Sequence, residues 1–78
     1  MRWTPRYDVE AVRAIYTLPR GVAGEVTETI KNLLSDPRPP ESEPVPGRDQ
    51  TFQIHVQGHR VEYELMEEQK ILKILFIT

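Results

Sequence analysis

The residues with most chemical potential lie in "FQIHVQGHRVEYEL", residues 52–65. Apolar and polar side chains alternate there on both sides of a Gln57-Gly58 pair. A two-residue hairpin turn at that pair sets Val56 opposite His59, His55 opposite Arg60, Ile54 opposite Val61, Gln53 opposite Glu62 and Phe52 opposite Tyr63. This register matches apolar with apolar on one face and polar with polar on the other, and a one-residue slip would mix them. Gln53, His55, Arg60 and Glu62 then share one face. A guanidinium there can hold a phosphate through two parallel hydrogen bonds, and an imidazole beside it can move a proton near neutral pH. The same four residues equally describe a cross-strand polar group on a wet sheet face, with Glu62 and Glu64 neutralising Arg60. His59 and Tyr63 fall on the core side and read as packing.

The elements that position these residues can be read upstream and downstream. In "YDVEAVRAIY" Asp8 is a good helix N-cap, and Val9, Val12 and Tyr16, with Ile15 beside them, recur at helical spacing. Pro19 and Gly21 interrupt the pattern. A second helix follows, with Val22, Val26, Ile30 and Leu33 forming its apolar stripe and Lys31 near its negative end. The Asp36-Pro37 pair stops it. "DPRPPESEPVPGR" holds five of the seven prolines and reads as a surface connection without a regular ladder of amide donors. "KILKILFI" is a final strand, and "MRWTPRY" supplies a short edge strand with Pro5 at a tolerated position. Trp3 reads as a lid on the core, and Glu67 and Glu68 as solvated turn residues.

The order is therefore β-α-α-β-β-β, an α+β fold with a two-helix hairpin on one face of a small, mostly antiparallel sheet. Residues 1–78 make one domain. In the last strand Leu72, Ile74 and Phe76 are expected to face the helices. That leaves Ile71, Leu75 and Ile77 around Lys73 on the open side, an apolar patch suited to a partner or to homodimerisation.

Composition narrows the function. Of 78 residues 38% are hydrophobic and 28% charged, with a net charge of −2, so the chain is not a broadly basic nucleic-acid binder. The absence of cysteine excludes disulfides and thiolate metal sites and fits a cytoplasmic setting. No apolar run approaches the roughly 20 residues of a membrane span, and the N-terminus lacks a signal-peptide core. Neither a glycine-rich phosphate loop nor a metal-spaced histidine cluster is present, and no cofactor is expected.

"WTP" before a helix, "LP" between two helices, "LLSDPRPP" closing the second and "GRDQTFQIHVQGHRVEYEL" as a hairpin together resemble the RelE/ParE toxin superfamily over essentially the whole chain. The resemblance implies the toxin of a toxin–antitoxin pair, silenced by a cognate antitoxin. RelE-like members cleave mRNA in the ribosomal A site, and ParE-like members inhibit DNA gyrase. It further implies that Arg60 contacts the scissile phosphate, that His55 stands where a basic residue helps deprotonate the ribose 2′-hydroxyl, and that Gln53 and Arg48 are substrate-binding positions. Two departures point to reduced or lost ribonuclease activity. The catalytic residues that follow the last strand in ribonuclease members have no counterpart before Thr78, and the connection carries Glu41 and Glu43 where relatives are lysine-rich. A non-catalytic binding module of the same fold is the alternative.

Overall fold

The computed structural model describes residues 2–78, and its sheet is built from the two ends of the chain inward. Strand β1 (Thr4–Tyr7) lies parallel to β5 (Ile71–Ile77), with Thr4 beside Ile71 and Tyr7 beside Ile74. Antiparallel pairing then runs from β5 to β4 (His59–Met66), to β3 (Thr51–Val56) and to a two-residue strand β2 (Glu43–Pro44). Thus the proline-rich connection, expected to lack strand structure, does contribute one short edge strand. Pro44 is acceptable there because an edge strand can leave one side without donors.

Helix α1 (Val9–Thr17) opens where the Asp8 carboxylate accepts from the Val9 amide at 2.9 Å. Its inward residues are Ala11, fully buried, with Ala14, Ile15 and Leu18 packed beside it. Val9, Val12 and Tyr16 are exposed, so of the residues at helical spacing only Ile15 turns inward. Small Ala11 and Ala14 let α1 lie close to β5, which its larger side chains would not. Helix α2 (Arg20–Leu33) behaves as its stripe indicates: Val26, Ile30 and Leu33 are buried, Val22 packs beside them, and the helix faces β3.

The β3–β4 register agrees with the sequence reading at all five pairs. The turn has positive φ at both Gln57 (52°) and Gly58 (80°), the two-residue geometry whose twist matches its strands. Gln57 carries a Cβ in a region that disfavours one. Gln57→Gly is therefore expected to raise stability by about 0.5–1 kcal/mol and Gly58→Ala to lower it by a similar amount or more, both readable from urea midpoints.

In β5 the alternation breaks. Val61 pairs with Ile77 and Glu62 with Phe76, but Tyr63 pairs with Ile74, so Leu75 is an extra residue in a bulge. A bulge re-aims the side chains beyond it. Leu72 and Ile74 face the helices as expected. Phe76 instead joins Glu62 on the open face, and Ile77 turns into the core, 8% exposed. Ile71 and Leu75 are half-buried, so the open side of β5 is not the exposed aliphatic patch that strict alternation implied.

The proline-rich connection is fastened to the sheet. Tyr63 donates its hydroxyl to the Pro37 carbonyl at 2.7 Å and stacks on Phe52 at 6.0 Å between centroids. Arg38 reaches Gln50 at 2.9 Å and Glu67 at 2.5 Å and lies over the Phe52 ring. Trp3 is buried, donates its amide to Leu34 and carries Lys70 over its ring. Glu67 is accordingly not merely a solvated turn residue: hydrogen bonding and charge from Arg38, with Lys70 adding to them, hold its carboxyl below the ordinary 4.5. A depressed carboxylate stabilises the fold above its unfolded-state pKa and loses that contribution as pH falls through the folded value. Glu67→Gln should thus flatten part of the loss of stability below about pH 4.5, measured by urea denaturation at successive pH values.

Candidate functional site

On the face of the sheet away from the helices, β3 and β4 present Gln53, His55, Arg60 and Glu62 together, as the hairpin register requires. Arg60 donates from Nη1 to Gln53 Oε1 at 3.2 Å, and its guanidinium lies 5.5 Å from the centre of the Phe76 ring. The bulge at Leu75 places that ring there. An aromatic face beneath a guanidinium holds it flat and leaves donors free to face outward. Gln53 in turn donates to Glu43 on β2 at 3.5 Å. Arg60 is also anchored through its backbone, which exchanges hydrogen bonds with Thr78 at 3.0 and 3.4 Å.

Glu62 does not neutralise Arg60. Its side chain is only 5% exposed and pairs with Arg48 at 3.6 Å. Arg48 follows Gly47, whose φ of 77° turns the connection back toward the open face. Sequence spacing could not show this pair, because its members stand 14 positions apart and the path of the loop before β3 brings them together. Phe76 was likewise invisible as a site residue; the imperfect alternation of "ILKILFI" is the one hint that a bulge interrupts the strand.

Two concavities flank this centre. A solvent-open groove of about 810 Å³ runs between α1 and the end of β5 past the point where β1 stops, and includes Arg13, Arg48, Glu62 and Phe76. A smaller recess of about 290 Å³ lies at the β3 side, where His55 meets Asn32, Asp36 and Glu41 near the end of α2. The candidate residues are therefore distributed. Arg60 and Gln53 form the middle, Arg48 borders the groove, and His55 lies directly opposite Arg60 while also bordering the acidic recess. Among the described residues no group of three or more His, Asp or Glu side chains is placed to hold a metal ion. No helix among them is long and apolar enough to cross a membrane.

No family model matches the chain, and no curated protein does. Solved structures do. The toxin–antitoxin complex RelBE of Escherichia coli contains a chain that superposes with a TM-score of 0.87 at 17% identity, covering 96% of this chain and 93% of that one. A RelBE complex from Mycobacterium tuberculosis gives 0.84 at 24% identity over 99% and 96%. The archaeal RelE–RelB complex from Pyrococcus horikoshii gives 0.84 at 22% over 100% and 94%. The chain has the RelE fold: two helices on an open, mostly antiparallel five-stranded sheet.

Proposed function

We propose that the protein is the toxin of a toxin–antitoxin pair, held by a cognate antitoxin and acting on mRNA at the ribosome as an endoribonuclease of reduced activity. The observation that carries this reading is the superposition, over nearly the whole chain, on chains of RelE–antitoxin complexes. The placement of Arg60 on the open face, backed by Phe76, supports it. In the reaction the ribose 2′-oxygen bonds to phosphorus as its proton passes to His55. The bond to the 5′-oxygen breaks, and that oxygen takes a proton from water. Arg60 bears the charge that builds on the phosphate. His55 and Arg60 are opposed across one strand pair, where Cα atoms stand about 4.5–5.5 Å apart, a span that one phosphodiester can bridge.

Reduced activity follows from the neighbours. Gln53 brings no charge, Glu43 stands beyond it, and Glu62 engages Arg48. Negative charge on an RNA-facing surface opposes binding. The same contacts favour a second reading, a non-catalytic module of this fold that binds an antitoxin without cutting RNA or inhibits DNA gyrase as ParE-like toxins do.

Primer extension on mRNA in a reconstituted translation system tests the first reading. Cleavage that needs translating ribosomes supports it, and intact mRNA at stoichiometric protein removes it. A supercoiling assay then divides the gyrase inhibitor from the inert binder.

A further inference from the structure

We propose that Glu62 sets the phosphate affinity of the open face: its carboxylate occupies on Arg48 the place of an RNA phosphate and so masks a second phosphate contact beside Arg60. The inference rests on the RNA reading above for the ligand, and on the geometry of one ion pair for the mask.

Glu62 is the one charged residue that is buried among the described residues, 4% exposed. Its position makes that unusual, because it stands on the sheet face that no helix covers. Gln53 and Phe76 are its cross-strand neighbours. Arg60 uses the same two side chains, one as its acceptor and the other as the ring beneath it. Two residues along a strand span about 6.4–6.8 Å, a spacing that consecutive phosphates of one RNA strand can meet. Arg48 is the ion-pair partner of Glu62, with a closest approach of 3.6 Å. That is longer than the about 2.7–2.9 Å of a charge-assisted hydrogen bond, so no bidentate pair forms. The Arg48 side chain is 54% exposed, and its donors remain open to another anion at the rim of the groove.

Carboxylate and phosphate compete for the same guanidinium fork. While Arg48 stays on Glu62, the pair presents no net charge to RNA. Were Arg48 to turn to a phosphate, Glu62 would be left buried without a counter-charge, which is strongly unfavourable. Arg13, the other guanidinium of that groove, pairs with Glu10 and does not relieve it. A phosphate at Arg48 therefore has to displace a partner already in place. At Arg60 it meets only the neutral Gln53 and the Phe76 ring. Glu62→Gln keeps the shape of the side chain and removes the charge, so Arg48 can turn outward without leaving an unpaired anion behind.

The test uses the whole protein and a fluorescein-labelled, uridine-rich RNA of about ten nucleotides, read by anisotropy without ribosomes at several salt concentrations. Each phosphate contact to a single strand adds about 0.7 to the steepness of log affinity against log salt. Glu62→Gln is expected to bind about tenfold more tightly, as one added charged hydrogen bond allows, and to steepen that slope by about 0.7. Combining Glu62→Gln with Arg48→Ala is expected to lose both gains. Glu28→Gln removes the same charge from the exposed side of α2 and should change affinity less than about twofold, since solvent screens it. Circular dichroism confirms that each variant is folded. Equal affinity of wild type and Glu62→Gln overturns the proposal, as does a gain that survives Arg48→Ala. An equal gain from Glu28→Gln, or no binding by any of the proteins, overturns it too. Primer extension in the translation system separates the two claims. Intact mRNA together with the gain in RNA affinity removes the ribonuclease and keeps the masked contact. Cleavage by wild type without that gain does the reverse.

Discussion

Arg60→Ala is expected to lower ribosome-dependent mRNA cleavage by about 100-fold or more while leaving the protein folded. Removing one preorganised donor from a developing oxyanion typically costs a factor of about 10²–10³, and Arg60 supplies the charged fork nearest the centre of the open face. Its structural contribution is small by comparison. One hydrogen bond to Gln53 and the contact with Phe76 amount to about 0.5–2 kcal/mol together. Cleavage rate and urea midpoint should therefore separate, with a large change in the first and a modest one in the second. Arg60→Lys keeps the charge but loses the planar fork, so it should fall between wild type and alanine. A cleavage rate unaffected by Arg60→Ala removes this residue from the chemistry.

The largest effect on stability is expected at Tyr63. Its side chain is fully buried, stacks on Phe52 and reaches Pro37, so it joins the sheet core to the proline-rich connection. Tyr63→Ala should cost about 3–5 kcal/mol. The whole chain, at about 0.05–0.15 kcal/mol per residue, has roughly 4–12 kcal/mol to lose. Tyr63→Ala should thus lose roughly a quarter or more of that stability and melt well below wild type. Tyr63→Phe leaves the ring and removes only the hydroxyl, so about 1–2 kcal/mol is expected, with the Pro37 carbonyl losing its donor. Burial pushes the Tyr63 phenol above its ordinary 10.0. A group raised in this way stabilises the fold below its unfolded-state pKa and loses that contribution as pH rises through the folded value. Wild type should weaken above about pH 10, and Tyr63→Phe should weaken less steeply. Equal urea midpoints for Tyr63→Ala and wild type would falsify the assignment.

The hairpin was legible because two period-2 runs flank a turn of fixed length. Each residue's face follows once Gln57-Gly58 is recognised, and His55, Gln53, Arg60 and Glu62 were placed correctly for that reason. Helix α2 was legible too, since its large aliphatics are also its buried residues. Helix α1 was not. Its buried face is made of small Ala11 and Ala14, which carry little hydrophobic signal, while its exposed stripe carries Val9, Val12 and Tyr16. Beyond Ile74, one extra residue inverted every face of β5 and brought Phe76 under Arg60. The pairing of Arg48 with Glu62 depends on where the connection returns to the sheet, and no local pattern encodes that. In each case the missing information is tertiary: the closeness of a helix, the location of a bulge, the path of a loop.

The parallel pairing of β1 with β5 also governs when the molecule can form. Thr4 and Ile71 are partners 67 residues apart in sequence, whereas β3, β4 and β5 join through tight turns. Closing so long a loop costs entropy before any contact repays it. The β3–β5 meander should consequently assemble first in refolding, with β1 docking last. During synthesis, at about 5–20 residues per second, the leading strand waits several seconds for its neighbour to be made. A nascent chain halted before Ile71 has Ala11 but not the strand on which α1 packs, so the finished surface exists only after almost all of these residues have been translated.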